Sequence, residues 1–327
     1  MTDLPLRLPV RPQRGAIRRF VEGYGQELVI LGAIIALFIV VGFLNPRFLS
    51  SNNLVTIFSG NAYIAVAAIG MAMVIIAGHI DVSVGALIGV LATVAGTLAT
   101  KGFPIWMAWT VPVLVGMGVN ALVGVLVAYA RIPAIVVTLG VMSILKGGLI
   151  SATGGVWISN LPAEFLIAQQ RLFDVPVPVY FMVVLTIIAA ILMRYTASGR
   201  AIYAIGGNAE AARVTGIPIE RGTVLIFVAH GFFAGIASLL FATQLQVIQS
   251  TVPPNLEMTV ITAAVIGGVS ILGGTGTVIG STLAAVLFAS ISSALIFIGV
   301  SAYWLRAVLG VLILATVLAD VIRRRRK

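Results

Sequence analysis

Long apolar runs alternate with short clusters of charge, proline and glycine along nearly the whole chain. Since a helix of about 20 residues crosses a bilayer's hydrocarbon core, these runs predict ten spans. They lie near 28–44, 54–77, 82–99, 105–129, 133–152, 175–195, 222–244, 258–272, 277–298 and 301–321. The expected fold class is an all-α polytopic membrane protein.

One polar stretch, Arg200 to Ile217, interrupts this pattern. Asn208 suits a helix N-cap, Glu210 falls in the first turn and Arg213 near the last, and Gly216 with Pro218 ends the helix. Two other breaks resemble each other: Ala77 to Gly89, and Gly267 to Gly280. Each starts at the end of an apolar run and closes on a glycine pair four apart, Gly85/Gly89 or Gly276/Gly280. The likeness predicts an internal repeat. Such glycines let another backbone approach closely, and interrupted helices in corresponding halves also flank transport paths, so packing and path readings both stand.

Composition supports the membrane reading: 60% of residues are hydrophobic, only 9% are charged, and mean hydropathy is +1.14. The net charge of +10 does not mark a nucleic-acid binder, because the basic residues gather at the chain ends and in one internal loop. Arg7, Arg11, Arg14, Arg18, Arg19, Arg131, Arg194, Arg200, Arg213, Arg221, Arg323 to Arg326 and Lys327 fall on one side of the ten-span topology. Arg47, Lys101, Lys146, Arg171 and Arg306 fall on or near the other. By the positive-inside rule both termini, the N-terminal segment 1–27 and the loop 196–221 are expected in the cytoplasm. The longest external loop is then Thr153 to Val175, which with the turn Gln246 to Glu257 is open to an extracytoplasmic partner. The basic N-terminus before Leu28 invites a signal-peptide reading, but Asn45-Pro-Arg-Phe48 is no cleavage site, so a retained span is expected.

The chain has no cysteine and two histidines, His79 and His230, which leaves no thiol chemistry and no expected metal set. No Gly-x-Ser-x-Gly elbow supports a hydrolase, and no catalytic residue is assigned. Gly273-Gly-Thr-Gly276 is not a phosphate loop, since Gly-x-x-x-x-Gly-Lys-Ser/Thr is absent; transport driven by ATP would need a separate ATPase. Asp81 lies between Ile80 and Val82, expected near the cytoplasmic interface. There it or Ser83 caps the third span, or Asp81 acts directly in gating or solute contact. Ser59, Asn61, Asn120, Thr138, Ser143, Gln244 and Gln246 are polar within or beside spans, with Asn61 the first choice for solute contact. Phe58, Tyr63 and Trp157 offer faces for an uncharged ring, or serve as interface anchors. A self-sufficient carrier driven by an ion gradient, with Asp81 and His79 as its coupling pair, is the alternative function; a membrane-embedded enzyme ranks below both.

Six stretches together resemble the permease subunits of bacterial ABC importers for ribose and other simple sugars, including the rhamnose and autoinducer branches. They are Asn45-Pro-Arg-Phe-Leu49 with Asn53-Leu54, Gly78-His-Ile-Asp-Val-Ser-Val-Gly85, Ile132-Pro-Ala-Ile-Val-Val-Thr-Leu-Gly140, Thr153-Gly-Gly-Val-Trp157, Gly199-Arg-Ala-Ile-Tyr-Ala-Ile-Gly-Gly-Asn208 and Leu272-Gly-Gly-Thr-Gly276. His79 departs from the glycine many relatives carry. The stretch Thr153 to Phe165 looks most like the autoinducer and rhamnose branches.

The resemblance implies that residues 1–327 form one transmembrane permease domain of an inner-membrane importer, paired with a like or homologous second permease. It also implies two cytoplasmic ATPase subunits carrying ATP-Mg and a periplasmic sugar-binding protein, with membrane lipid around the chain and no cofactor on it. Arg200, Tyr203, Gly206, Gly207, Asn208, Glu210 and Arg213 would form the ATPase-coupling helix. Phe58, Asn61, His79, Asp81, Ser83 and Trp157 are the candidates for the solute path or its gate.

Overall fold

The computed structural model describes residues 16–301 and scattered positions between 303 and 318. Its long helices are α1 (Ala16–Leu44), α2 (Ser51–Ser59), α3 (Ala62–Ile76), α4 (Val84–Thr100), α5 (Ile105–Ala128), α6 (Ala134–Thr153) and α7 (Val177–Tyr195). Then come α8 (Ala197–Gly207), α9 (Ala209–Val214), α10 (Ile219–Ala242), α11 (Leu256–Ile266) and α12 (Val278–Phe297). Among the described residues strand is confined to a two-stranded hairpin, β1 (Arg171–Leu172) and β2 (Val175–Pro176), and a single bridge.

Among the described residues 7 helical segments are long and apolar enough to cross a membrane, and α4 and α11 are shorter apolar helices. Nine predicted spans thus have helical counterparts, while the tenth and the first 15 residues lie largely or wholly outside the described residues. Three boundaries differ from the sequence reading. Helix α1 begins at Ala16, inside the segment expected to precede the first span. The second span is two helices, because Gly60 and Asn61 break it. The span expected at 258–272 stops at Ile266, where glycines take over.

Helix α3 is the centre of the bundle, with every residue from Ile64 to Ile76 buried. Its sequence is apolar on all faces, which suits a helix surrounded by others; α10, α11, α12 and α7 enclose it. Helices α5 and α10 cross closely because each carries small residues four apart. A Cβ on Gly231 would sit 2.3 Å from the Gly116 carbonyl oxygen, one on Gly235 2.6 Å from Val113 Cα, and one on Gly124 2.9 Å from Val224 Cα. In lipid, where apolar surface alone gives little drive to associate, such backbone proximity holds helices together.

The internal repeat is present in backbone detail. Helix α3 ends with Gly78 N–H donating to the Ile75 carbonyl (2.9 Å) and His79 N–H to Val74 (3.0 Å); α11 ends with Gly268 donating to Val265 (3.0 Å) and Val269 to Ala264 (3.2 Å). Both are Schellman ends, and their glycines sit at φ +86° and +91°, where a side chain is strained. The first glycine pair lies on α4, whereas Gly276 of the second sits in the connector at φ +136° and only Gly280 belongs to α12. A Cβ on Gly85 would meet Glu257 N at 2.8 Å, and Gly89 lies under Val252 and Pro253. Gly280 approaches the Gly267 carbonyl too closely for any side chain.

Candidate functional site

The segment from Thr196 to Pro218 is two helices, not the single one that capping suggests. Thr196 Oγ1 accepts from Gly199 N–H (3.0 Å) and starts α8. Asn208 Oδ1 accepts from Ala211 N–H (3.0 Å) and starts α9, as its sequence position predicts. Gly216, at φ +83°, ends α9, with its N–H on the Arg213 carbonyl.

Helix α8 buries Ile202 and Ile205 and ends against the tip of α3 and the α11–α12 connector. Gly274 N–H donates to the Ile76 carbonyl across 2.8 Å, joining the α11–α12 connector to the end of α3. Gly206 lies so close that a Cβ there would fall 1.8 Å from the same carbonyl oxygen and 2.8 Å from Gly274 N. On the other flank, a Cβ on Gly273 would lie 2.7 Å from the Gly206 carbonyl and 3.0 Å from Gly78 Cα. Three motifs far apart in sequence therefore meet at one all-glycine junction. Tyr203 adds a hydroxyl bond to the Gly276 carbonyl (2.8 Å). Burial, then the Glu27 carboxylate, pushes its phenol up from the ordinary value, so it stays a donor.

A polar cavity of about 760 Å³ opens beside the junction, lined by His79, Arg131, Asn208, Glu210, Arg213 and Glu220 among others. It brings one path candidate, His79, together with much of the coupling set. Arg213 Nη2 lies 2.9 Å from Glu220 Oε1, so it is engaged within the chain rather than wholly presented outward. Glu210 is exposed, and Val214 is 87% exposed at the end of α9. The sequence reading missed Val214; a bare valine between polar neighbours was its only signal. Arg200 and Tyr203 line a different cavity, with the end of α7 and the start of α12.

Asp81 is sealed inside the bundle. The connector after Gly78 turns back into the bundle, and Asp81 is fully buried with Ser83, Asn120 and His230. Asp81 Oδ1 accepts from Ser83 N–H (2.7 Å) and Oγ (2.5 Å), which is the expected capping at the start of α4. Its Oδ2 faces His230 Nε2 at 3.4 Å. Asn120, with its amide oriented to satisfy both neighbours, donates to Asp81 Oδ2 (3.1 Å) and accepts from Gly231 N–H (3.2 Å). His230 is left with no hydrogen bond on either ring nitrogen. Its Nδ1 fills the space a Cβ on Gly70 would need, at 2.7 Å.

The other path candidates are dispersed. Phe58 packs against Phe38 (6.5 Å between centroids), and Asn61 sits at the α2–α3 break. Trp157, 58% exposed, lies beside the Ile158–Ile248 bridge that ties the loop after α6 to the turn after α10, at the end of the bundle opposite the junction. Among the described residues no group of three His, Asp or Glu could hold a metal.

Residues 53–317 match the family described as "Branched-chain amino acid transport system / permease component". The chain is 36% identical over 309 residues to the "Autoinducer 2 import system permease protein LsrC" of Yersinia enterocolitica serotype O:8, covering 92% of this chain and 86% of that one. It is 35% identical over 303 residues to the protein of the same name from Escherichia coli O9:H4, covering 92% and 88%, and to that of Salmonella typhi, covering 92% and 87%. No solved structure matches.

The junction makes a local prediction. Gly206→Ala places a methyl group against the Ile76 carbonyl and should cost roughly 1–3 kcal/mol as overpacking. Gly207→Ala meets only Gly274 Cα at 3.9 Å and should be tolerated. Amide hydrogen exchange on the purified protein should quicken across 197–207 and 270–276 in the first variant alone; equal protection in both would show that the approach is not constraining.

Proposed function

Because the chain belongs to the permease-component family of binding-protein-dependent transport systems, it is the membrane-spanning permease of an ATP-binding-cassette importer, and we propose that it passes a neutral, sugar-like solute. ATP hydrolysis belongs to a separate ATPase subunit. The relatives named for autoinducer 2 import make that solute the first choice.

The observation that carries the reading is the seat of α8, which leads into α9, on the end of α3 and the α11–α12 connector. A partner that pushes or pulls α8 moves the end of α3 and the α11–α12 connector together, because Gly206 leaves no slack between Ile76 and Gly274. Helices α8 and α9 face the cytoplasm and receive the ATPase, which holds ATP-Mg. Supporting this orientation, Arg131, Arg194, Arg200, Arg213 and Arg221 all fall at helix ends on the junction's face. The opposite end, with Trp157 and the bridged loops, receives the sugar-binding protein. Helix α6 offers Gly140, Gly147 and Gly148 with nothing within 4 Å, a smooth open face for the second permease subunit.

The ion-driven alternative lost its basis when the relatives proved to be ABC permeases, and its two coupling residues are also separated. His79 lines the cavity under α9, while Asp81 is sealed in with His230. Asp81, with Ser83, serves the gate rather than solute contact.

Two sets of variants test these roles. Glu210→Arg and Arg213→Glu should each cut solute uptake by about tenfold or more, equal to about 1.4 kcal/mol of coupling, while insertion stays normal. The swap Arg213→Glu with Glu220→Arg rebuilds the internal pair; if it restores full uptake, Arg213 is structural and not a motor contact. Asp81→Asn should leave an assembled complex whose ATPase rate no longer follows solute supply. Unchanged coupling there would confine Asp81 to capping α4.

A further inference from the structure

The second cavity, of about 440 Å³, lies where α7 leaves the membrane, between α7, α8 and the start of α12. Its volume is within the range of small-molecule sites, roughly 300–1,000 Å³. Two arginines stand at its rim. Arg194, on the last turn of α7, lies with its guanidinium 5.6 Å from the centre of the Tyr195 ring. The turn at Thr196 folds α8 back, and Arg200 Nη1 donates to the Tyr195 carbonyl at 3.2 Å. Both guanidinium groups are thereby held at one membrane boundary.

The rest of the wall is apolar and continues along the outside of the bundle. Ile191, 51% exposed, is one turn inward from Tyr195 on the bare face of α7, and Ile279 closes the α12 side. The adjoining acid, Glu27, is 7% exposed and accepts a hydrogen bond from the Thr277 hydroxyl, so it is drawn to the inner wall and away from the rim. A site with a basic rim at headgroup level and an apolar wall running into the membrane matches a molecule built the same way. Arginine pairs suit phosphate oxygens, and the tyrosines lie at the depth where such rings anchor. A free anion would use the rim and leave the wall bare.

We propose that this cavity binds the headgroup and upper acyl chain of an acidic phospholipid, with Arg194 and Arg200 on the phosphate and Ile191 along the chain. Bound there, the lipid ties α8 to α7 and so braces the seat of the coupling helices. Arg200 then acts through lipid, apart from Glu210 and Arg213, which line the other cavity.

The test uses the full-length chain in mild detergent with equimolar phosphatidylglycerol and phosphatidylcholine, read by native mass spectrometry. The wild type should retain phosphatidylglycerol with a preference of roughly ten- to thirtyfold, as expected for two basic residues near a headgroup. Arg194→Gln with Arg200→Gln should bring the two lipids to parity. Ile191→Trp, which blocks the apolar wall without changing charge, should also lose the preference and guards against a misfolded double variant. Equal retention of both lipids by the wild type, a preference surviving in both variants, or release of the lipid by millimolar inorganic phosphate would overturn the proposal.

Discussion

The architecture depends on one contact, the approach of Gly206 to the Ile76 carbonyl, at a distance no side chain survives. Around that point the end of α8, the end of α3 and the α11–α12 connector are stacked backbone against backbone. Gly78, Gly206, Gly273 and Gly274 all contribute, and Gly78, Gly273 and Gly274 adopt positive φ. A side-chain contact has rotamers with which to absorb a displacement, whereas packed backbone has few soft degrees of freedom. A push on α8 is therefore delivered to the end of α3 and to the α11–α12 connector at once.

The end of α3 and the α11–α12 connector belong to breaks of the same kind. Helices α3 and α11 finish in the same Schellman geometry, and each is followed by a connector that opens the next helix, α4 or α12. The first connector carries Asp81 into the interior, where it meets Asn120 and His230 on the crossing pair α5 and α10. That crossing is close enough to place Asn120 against Gly231 only because both helices present small residues at a spacing of four. The junction and the polar cluster are thus linked through a connector of a few residues, which is how a displacement at the surface reaches the centre of the bundle.

Much of this was legible in the chain, for identifiable reasons. Span positions follow from hydropathy, and Asn208, Gly216 and Pro218 mark their helix by local capping chemistry that tertiary contacts do not override. The repeat at Gly78 and Gly268 was readable because a Schellman end demands glycine wherever it occurs. What could not be read was anything set by which helix lies beside which. The enclosure of Asp81 by other helices was hidden because position along a sequence says nothing about a connector that turns back inward. His230 was noted only as one of two histidines, since Asp81, which it faces, is more than 100 residues away. The division of the polar segment into α8 and α9 was hidden because Gly206 and Gly207 look like a break, yet they complete a helix whose end has no room for anything larger. The spacing of Gly116, Asn120 and Gly124 against Phe227, Gly231 and Gly235 was a usable signal that went unread.

The central claim is that α9 meets the motor that drives transport. The chain contains no cysteine, so Val214→Cys creates a single reactive thiol at the most exposed point of that helix. Cross-linking this thiol in the assembled transporter, in native membranes, should capture the ATPase subunit with a yield that changes when ATP is added. Labelling of the thiol by a membrane-impermeant reagent from the extracytoplasmic side, or capture of the sugar-binding protein in place of the ATPase, would contradict the account.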